Sequence, residues 1–263
     1  MSELASEPEG PAAANATDER QRRGAVSTEA ATAEAHDHSH ADVSGGWLRA
    51  AVFGAMDGLV TNTALVAGVG GGGVAPRGIV LAGVASLVAG AISMSLGEYT
   101  SVKTQNEQLD LEVEKERREL QRNPEGELAE LTEMLRVRGV EHGLARQVAV
   151  QLSRDPETAL RLHVVAELGL NPEDKPSPWV AAVSSFVTFG TGALLPLLPY
   201  LFGVSVLWPS LIFGGAGLLV AGALSSRFTP RPWWYAGLRQ LLFGAAAAGI
   251  TYAIGAAIGV SLS

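Results

Sequence analysis

Five runs of about twenty apolar residues divide the 263-residue chain, and polar segments separate them. A helix of roughly 20 apolar residues crosses about 30 Å of hydrocarbon, so each run predicts a membrane-spanning helix. Small residues recur at a spacing of four within these runs, a pattern that favours close helix packing in lipid. The five predicted spans cover residues 47–74, 77–99, 178–203, 205–226 and 237–260.

The segment between the second and third spans has the charge periodicity of solvated helices. No glycine or proline follows Gly97 until Pro124, so the second span is predicted to continue as one helix through residues 100–122. Further helices are predicted at 125–138, 141–153 and 157–168. The fold class is therefore an all-α integral membrane protein, with five transmembrane helices and a helical insert between spans two and three. The predicted parts are a disordered tail (1–46), spans one and two (47–99), the insert (100–175) and spans three to five (176–263).

Acidic residues are confined to the first two thirds of the chain. Of the 27, nine lie in residues 1–46, one is Asp57, and seventeen lie between Glu98 and Asp174. The net charge of -8 therefore belongs to the polar segments, which favours cations as partners and argues against nucleic acid. The absence of cysteine excludes disulfides and thiolate metal sites.

Lysine and arginine predict the orientation of the spans. Eighteen of the 19 basic residues lie in the tail, in the insert or near the loop between spans four and five, and Arg77 alone lies on the opposite side. Because basic loops stay in the cytoplasm, the N-terminus and the insert are predicted to be cytoplasmic and the C-terminus to lie outside. The high alanine, glycine and arginine content favours a bacterial plasma membrane.

Two residues of the first two spans are unusual for a lipid environment. Asp57 lies in the first span, and a charged side chain at membrane depth costs at least roughly 2.5–3.5 kcal/mol. Met94 lies in the second span, four residues before Glu98. A carboxylate and a thioether on adjacent spans suggest a route for a cation, including a borderline-soft metal.

The acids of the insert fall on helix faces. Such faces could form an oxygen-rich cage for divalent cations, or a salt-bridged surface with the interleaved Lys115, Arg117, Arg118 and Arg122. Both interpretations stay open, as does the choice between a weak metal site and a solvated tail at His36, His38 and His40. The patterned acids are Glu112, Glu116 and Glu119 on the first insert helix, Glu127, Glu130 and Glu133 on the second, and Glu167 at the end of the last.

Three motifs carry a family resemblance: Asp57–Asn62 (DGLVTN), Gly90–Tyr99 (GAISMSLGEY), and Glu167–Leu170 (ELGL) followed by Pro178-Trp179. Over residues 47–260 the chain resembles the vacuolar iron transporter family, which includes the yeast vacuolar iron/manganese carrier and the nodulin-21-like proteins. The resemblance implies a homodimer of five-span subunits. It also implies that the protein is not an enzyme. It implies export of Fe²⁺, and often Mn²⁺, from the cytoplasm by proton antiport. It implies no cofactor beyond the transported metal, with Zn²⁺ or Co²⁺ binding in the insert as a further expectation.

The resemblance also implies roles for residues. Asp57 and Met94 match the membrane path, and Gly54 and Gly58 are expected to let dimer-related first spans approach closely. A glutamate of plant relatives is replaced by Ser86, and Glu98 is the candidate to substitute for it. The metal-binding glutamates of the insert match Glu116, Glu119, Glu127, Glu130 and Glu167.

The insert departs from the family at a methionine pair. His163 and Val164 stand there, and His163 lies on the same helix face as Glu167. His163 is therefore a candidate nitrogen ligand, while a surface or core histidine is the alternative. Glu112 is a further candidate ligand.

Two rival functions stay open. A carboxylate-bridged ferroxidase or storage protein would need Glu-x-x-His pairs, and none of the five histidines has a glutamate three positions before it. A membrane-anchored metal sensor would bind the ion without moving it, and only a flux measurement separates it from a transporter.

Overall fold

The computed structural model describes residues 46–169, 171–228 and 230–262, and these residues contain helices and connections but no β-strand. Five helical segments are long and apolar enough to cross a membrane, which confirms the predicted all-α class with five spans. The tail, with His36, His38 and His40, lies outside the described residues. In chain order the helices are α1 (Gly46–Gly71), α2 (Pro76–Arg122), α3 (Pro124–Val137), α4 (His142–Leu152), α5 (Pro156–Leu168), α6 (Pro178–Leu194), α7 (Leu198–Leu201), α8 (Leu207–Ser225) and α9 (Trp233–Leu262).

Helix α2 is a single uninterrupted helix of 47 residues. It begins with Pro76 in its first turn and ends at Arg122, with Asn123 as the cap that follows. At 1.5 Å per residue α2 is roughly 70 Å long, about twice the thickness of the hydrocarbon core. Its charged C-terminal half therefore extends well beyond any bilayer that its apolar half crosses.

Helices α3 to α5 follow the predicted bounds to within one residue. Side chains that accept hydrogen bonds from backbone N–H groups cap their first turns: Asn123 caps α3, Glu141 caps α4 and Asp155 caps α5. Gly169 ends α5 in the left-handed conformation, with φ of 65°. Helix α5 packs on α2, and α4 packs on α3, so the insert folds back along the projecting half of α2.

Helix α1 is the central helix of the apolar bundle and packs against α6, α9, α8 and α2. Its crossing with α6 brings the two backbones together, since a Cβ on Gly58 would overlap the carbonyl oxygen of Phe189. A Cβ on Gly54 would lie 2.6 Å from Thr188 Oγ1. The expectation that Gly54 and Gly58 pack dimer-related first spans together is therefore wrong, because both are buried against α6 of the same chain.

The third span is interrupted near its two prolines. Helix α6 changes to a 3-10 turn at Leu195–Leu197, and the short helix α7 then completes the span. Pro196 and Pro199 cannot donate the backbone hydrogen bonds of a continuous α-helix. Leu197 and Tyr200 pack there in an apolar core that α1 and α2 share.

Candidate metal centre

His163 lies at the centre of a carboxylate cluster in the insert. Its Nδ1 is 3.2 Å from Glu116 Oε1, 3.5 Å from Glu127 Oε2 and 3.6 Å from Glu167 Oε1. The four side chains come from three helices, α2, α3 and α5. The structure thus brings together Glu116, Glu127 and Glu167 with His163, all of which the sequence marks as candidate ligands. We call these four residues the insert cluster.

Three residues of the insert cluster are buried and contain polar atoms without hydrogen bonds, while Glu167 is exposed. Glu116 and Glu127 are 8% and 6% exposed, and His163 is fully buried. Among the described residues, Glu116 Oε1, Glu127 Oε2 and both ring nitrogens of His163 form no hydrogen bond. A buried polar group without a partner costs about 1–3 kcal/mol. A proton or a cation in the cluster would remove that cost.

Burial and like charge alter the acidity of the cluster. Burial raises the pKa of Glu116 to about 7, with the charges of Glu167 and Glu127 as further causes. Burial also raises the pKa of Glu127, although the charge of His163 opposes the shift. The charge of the exposed Glu119 acts in the same direction on both carboxyls. Since the carboxylates repel one another, a divalent cation between them would be stabilised.

Glu130 belongs to the edge of the insert cluster. Its negative charge raises the pKa of Glu127, while its own side chain is exposed. Glu119 on α2 and Glu130 on α3 are exposed, so a cation that approaches the cluster from solvent would meet these carboxylates first. The structure places both near the cluster but outside its buried centre.

Other acids of the insert pair with basic side chains instead. The exposed Glu112 lies 3.6 Å from Lys115 Nζ, and Glu133 forms a two-bond pair with Arg136 at 2.6 Å. Glu157 binds Arg117 at 2.5 Å. The salt-bridged surface, one of the two interpretations that the sequence left open, is therefore present at these residues. Glu112, predicted as a candidate ligand, belongs to the salt-bridged surface.

A second site lies between α1 and α2 within the apolar bundle. Asp57, Met94 and Glu98 line one pocket of about 420 Å³, and the ring of Phe189 from α6 forms part of its wall. Thr61 donates a hydrogen bond to Asp57 Oδ1 at 3.4 Å. The pocket therefore contains every residue that the sequence marked as a candidate for the membrane path. We call it the membrane pocket.

Glu98, which lines this pocket, already pairs with a cationic side chain. Arg49 near the start of α1 donates a hydrogen bond to Glu98 Oε2 at 2.8 Å, and Glu98 is 8% exposed. A signal for the pair was present, since Arg49 precedes Asp57 by two helical turns and Glu98 follows Met94 by about one.

Residues 48–256 match the family model described as the VIT family. The chain belongs to the VIT family. Three relatives show how far the similarity extends along each chain. They are a vacuolar iron transporter of Acanthamoeba castellanii (38% identical over 193 residues, 66% of this chain and 70% of the relative), vacuolar iron transporter 1 of Oryza sativa subsp. japonica (32% over 235 residues, 86% and 92%), and vacuolar iron transporter 1 of Eucalyptus grandis (31% over 229 residues, 85% and 90%).

Membership of the VIT family confirms the resemblance that the three motifs indicated. Together with the five apolar helices, it makes this VIT-family chain a multi-pass membrane protein. Asn62, which ends the first of those motifs, had no assigned role. It is fully buried, and its Nδ2 donates to the carbonyl oxygens of Gly83 at 3.2 Å and Ala193 at 2.8 Å. Asn62 therefore ties α1 to α2 and α6.

The two candidate sites of this VIT-family protein differ in the ligand atoms that they offer to a metal ion. The insert cluster offers carboxylate oxygens and one imidazole, ligands that divalent first-row metals accept. The membrane pocket offers the carboxylate of Asp57 and the thioether of Met94, together with Glu98, which pairs with Arg49. An ion that reached the membrane pocket would exchange part of its water shell for these ligands.

Proposed function

We propose that this VIT-family protein transports Fe²⁺ across the membrane, with Mn²⁺ as a second cargo, in exchange for protons. One observation carries the proposal: the uninterrupted helix α2 connects the insert cluster to the membrane pocket. Glu116 projects from that helix into the cluster, and Met94 projects from it into the pocket. The relatives named vacuolar iron transporters support iron as the cargo.

The insert cluster collects the metal in this proposal. Glu116, Glu127 and Glu167 bind the ion, while Glu119 and Glu130 raise its local concentration at the entrance. The cluster and Met94 are about 22 residues apart along α2, or roughly 33 Å at 1.5 Å per residue. The bound ion must therefore leave the cluster before it reaches the membrane pocket. No cofactor beyond the cargo is part of the proposal.

Asp57 is the group at which metal and proton exchange. A bare carboxylate at membrane depth is costly, so Asp57 holds either a metal ion or a proton during the cycle. Met94 contributes a soft ligand that a proton does not need. Protons that enter from an acidic side displace the metal from Asp57, which couples the two movements. Glu98, which pairs with Arg49, is the second carboxyl group of the path. It takes the role of the glutamate that plant relatives have at the position of Ser86.

The direction of transport follows from the charge distribution. Eighteen of 19 basic residues favour a cytoplasmic N-terminus and insert, so the insert cluster loads from the cytoplasm and export follows. A proton gradient that is acidic outside drives this export. The composition favours a bacterial plasma membrane as its location, whereas the relatives carry the name vacuolar.

A second copy of the chain completes the membrane pocket in our proposal. Phe53, Ser93 and Gly97 line that pocket and are exposed, so one side of it is open in the single chain. Ala85 and Ala89 continue the exposed strip of small residues along α2. Close packing of two such strips would exclude lipid from Asp57.

Cross-linking tests this homodimer, because the chain has no cysteine of its own. We expect an Ala89→Cys variant to form disulfide-linked dimers in the membrane. Ala246→Cys on α9 is the matched control, since Ala246 is a similarly exposed small residue of another span. Equal cross-linking of the two variants, or none with Ala89→Cys, would reject α2 as the dimer contact.

Metal flux in proteoliposomes tests the transport function. Purified protein is reconstituted with a pH gradient, and the movement of Fe²⁺, Mn²⁺ and protons is followed together. We expect metal movement to dissipate the gradient, and Asp57→Asn to abolish both fluxes. Thr191→Val is the control, because the Thr191 hydroxyl donates to the carbonyl of Val187 in its own helix.

The outcomes separate the rival functions. Metal binding without flux in the wild-type protein would contradict transport and favour a sensor or storage role. Metal flux without proton movement would retain transport and reject antiport. Flux that survives in Asp57→Asn would place the path elsewhere.

A further inference from the structure

His163 brings an imidazole into a cluster of carboxylates. We infer that His163 is a direct ligand of the cargo metal, and that its nitrogen shifts the preference of the insert cluster from Mn²⁺ towards Fe²⁺, Co²⁺ and Zn²⁺. This inference rests on the proposed function, because it concerns the site where the cargo is collected. It specifies which divalent metals that site selects.

Three residues of the cluster are spaced as ligands of one ion could be, since Glu116, His163 and Glu167 each offer a ligand atom and these atoms lie within 4.8 Å of one another. Metal–nitrogen and metal–oxygen bonds of about 2.0–2.2 Å place neighbouring ligands about 3.0 Å apart in an octahedral site and about 3.4 Å apart in a tetrahedral one. The distances from His163 Nδ1 to the oxygens of Glu116, Glu127 and Glu167 are 3.2, 3.5 and 3.6 Å. The imidazole is therefore already placed for coordination.

Burial excludes the interpretation of His163 as a surface residue. It is fully buried beside Val164, which is 1% exposed, and Leu160, which is 5% exposed. Neither ring nitrogen forms a hydrogen bond among the described residues, although Nδ1 lies within 3.6 Å of three carboxylate oxygens. If a neutral His163 carries its proton on Nε2, the Nδ1 lone pair faces three carboxylate oxygens, an arrangement that a cation between them would stabilise; a proton on Nδ1 would instead be donated to one of these oxygens. A core histidine with a purely apolar role would not need to face these oxygens.

The competing structural explanation is a protonated His163 that neutralises the carboxylates as an internal cation. In that case the imidazole and the metal would exclude each other, and His163 would oppose the binding of every divalent ion. If His163 is instead a ligand, it strengthens the binding of divalent ions, and it strengthens the binding of some metals more than that of others. Imidazole suits Fe²⁺, Co²⁺ and Zn²⁺, whereas carboxylate and carbonyl oxygens suit Mn²⁺. A loss that differs between metals therefore identifies the ligand role.

Calorimetric titration of the full-length, untagged protein measures this difference with Co²⁺ and Mn²⁺, where Co²⁺ stands in for air-sensitive Fe²⁺. We expect His163→Gln to weaken Co²⁺ binding by about tenfold or more and Mn²⁺ binding by clearly less. His142→Gln is the matched control, since His142 is exposed at the start of α4. An equal loss for both metals, no loss, or tighter binding of both would overturn the inference.

A spectroscopic measurement avoids dependence on the folding of a cluster variant. His163 becomes the sole imidazole of the chain when His36, His38, His40 and His142 are changed to Gln. The protein is labelled with ¹⁵N-histidine and loaded with Mn²⁺, and electron spin echo detects nitrogen bound to the ion. We expect a ¹⁵N coupling, and its absence in protein that has bound Mn²⁺ would overturn the inference. Failure of flux would leave this result intact, so the two proposals fail separately.

Discussion

Glu116 is a carboxyl group that the fold keeps largely protonated below neutrality. Its pKa rises to about 7, first because the side chain is buried and then because Glu167 and Glu127 are negative. A carboxyl group must lose its proton before it binds a metal. We therefore expect the metal affinity of the insert cluster to fall as the pH decreases below 7, by about tenfold per pH unit for each displaced proton. Titration with Mn²⁺ at several pH values measures this slope.

The same shift makes the stability of the metal-free protein depend on pH. The pKa of Glu116 is higher in the folded protein than its ordinary value of 4.5, so the folded state holds this proton more tightly. The resulting stabilisation is fully present below about pH 4.5 and is lost as the pH rises through about 7. We expect Glu116→Gln to remove this dependence, and Glu133→Gln, at an exposed and Arg136-paired carboxylate, to leave it unchanged. Thermal unfolding with and without Mn²⁺ shows whether the metal restores the stability that is lost at high pH. An equal pH dependence of the melting temperature in the wild type and in Glu116→Gln would contradict the assignment of this effect to Glu116.

At this scale the sequence identifies candidate ligands but does not separate them. Glu112 and Glu116 lie on the same face of one helix, yet Glu112 pairs with Lys115 in solvent and Glu116 is buried. The difference arises because α5 packs over α2 and brings His163 beside Glu116. The contact between Arg49 and Glu98 likewise depends on the packing of two helices. Local periodicity alone does not establish which helices meet at either contact.

At the scale of helices, the crossing of α1 and α6 depends on glycine. A Cβ on Gly58 would overlap the Phe189 carbonyl, so Gly58→Ala must push the two backbones apart. Overpacking of this kind costs about 1–3 kcal/mol. We expect a lower melting temperature for Gly58→Ala in detergent and weaker metal transport, because α1 carries Asp57.

Gly190 provides the control for this prediction. It lies in α6, and a Cβ added there would meet no atom within 4 Å. Alanine is the better helix former by about 1 kcal/mol, so Gly190→Ala should be neutral or stabilising. Equal destabilisation of the two variants would show that close contact at Gly58 is not the cause.

The bounds of the helices were predictable because each is encoded locally. Long apolar runs define the spans, Asn123 and Asp155 cap helices of the insert, and Pro196 interrupts the third span. The partners of the helices were not predictable in the same way. Gly54 and Gly58 were assigned to a contact between subunits, but small residues at a spacing of four permit close packing without selecting the neighbour.

At the scale of the whole molecule, charge and length divide the chain into an apolar bundle and a projecting polar insert. No acid occurs after Asp174, whereas seventeen acids lie from Glu98 to Asp174. Helix α2 belongs to both parts, since its roughly 70 Å exceeds the hydrocarbon thickness about twofold. A displacement of α2 along its axis would therefore move the Glu116 side of the cluster and the Met94 side of the membrane pocket together. That shared helix is the physical reason to expect loading and translocation to be coupled.

Orientation is the property of the whole molecule that most directly decides the direction of transport. The distribution of lysine and arginine predicts that the insert is cytoplasmic and that the connection between α1 and α2 lies outside. We expect a single cysteine at Ala75 to react with a membrane-impermeant maleimide in intact cells, and one at Gln121 to react only after the cells are opened. Both positions are exposed, and the chain has no other cysteine. The reverse labelling pattern would invert the orientation, so the insert cluster would load from outside and the protein would import its metal under the same mechanism.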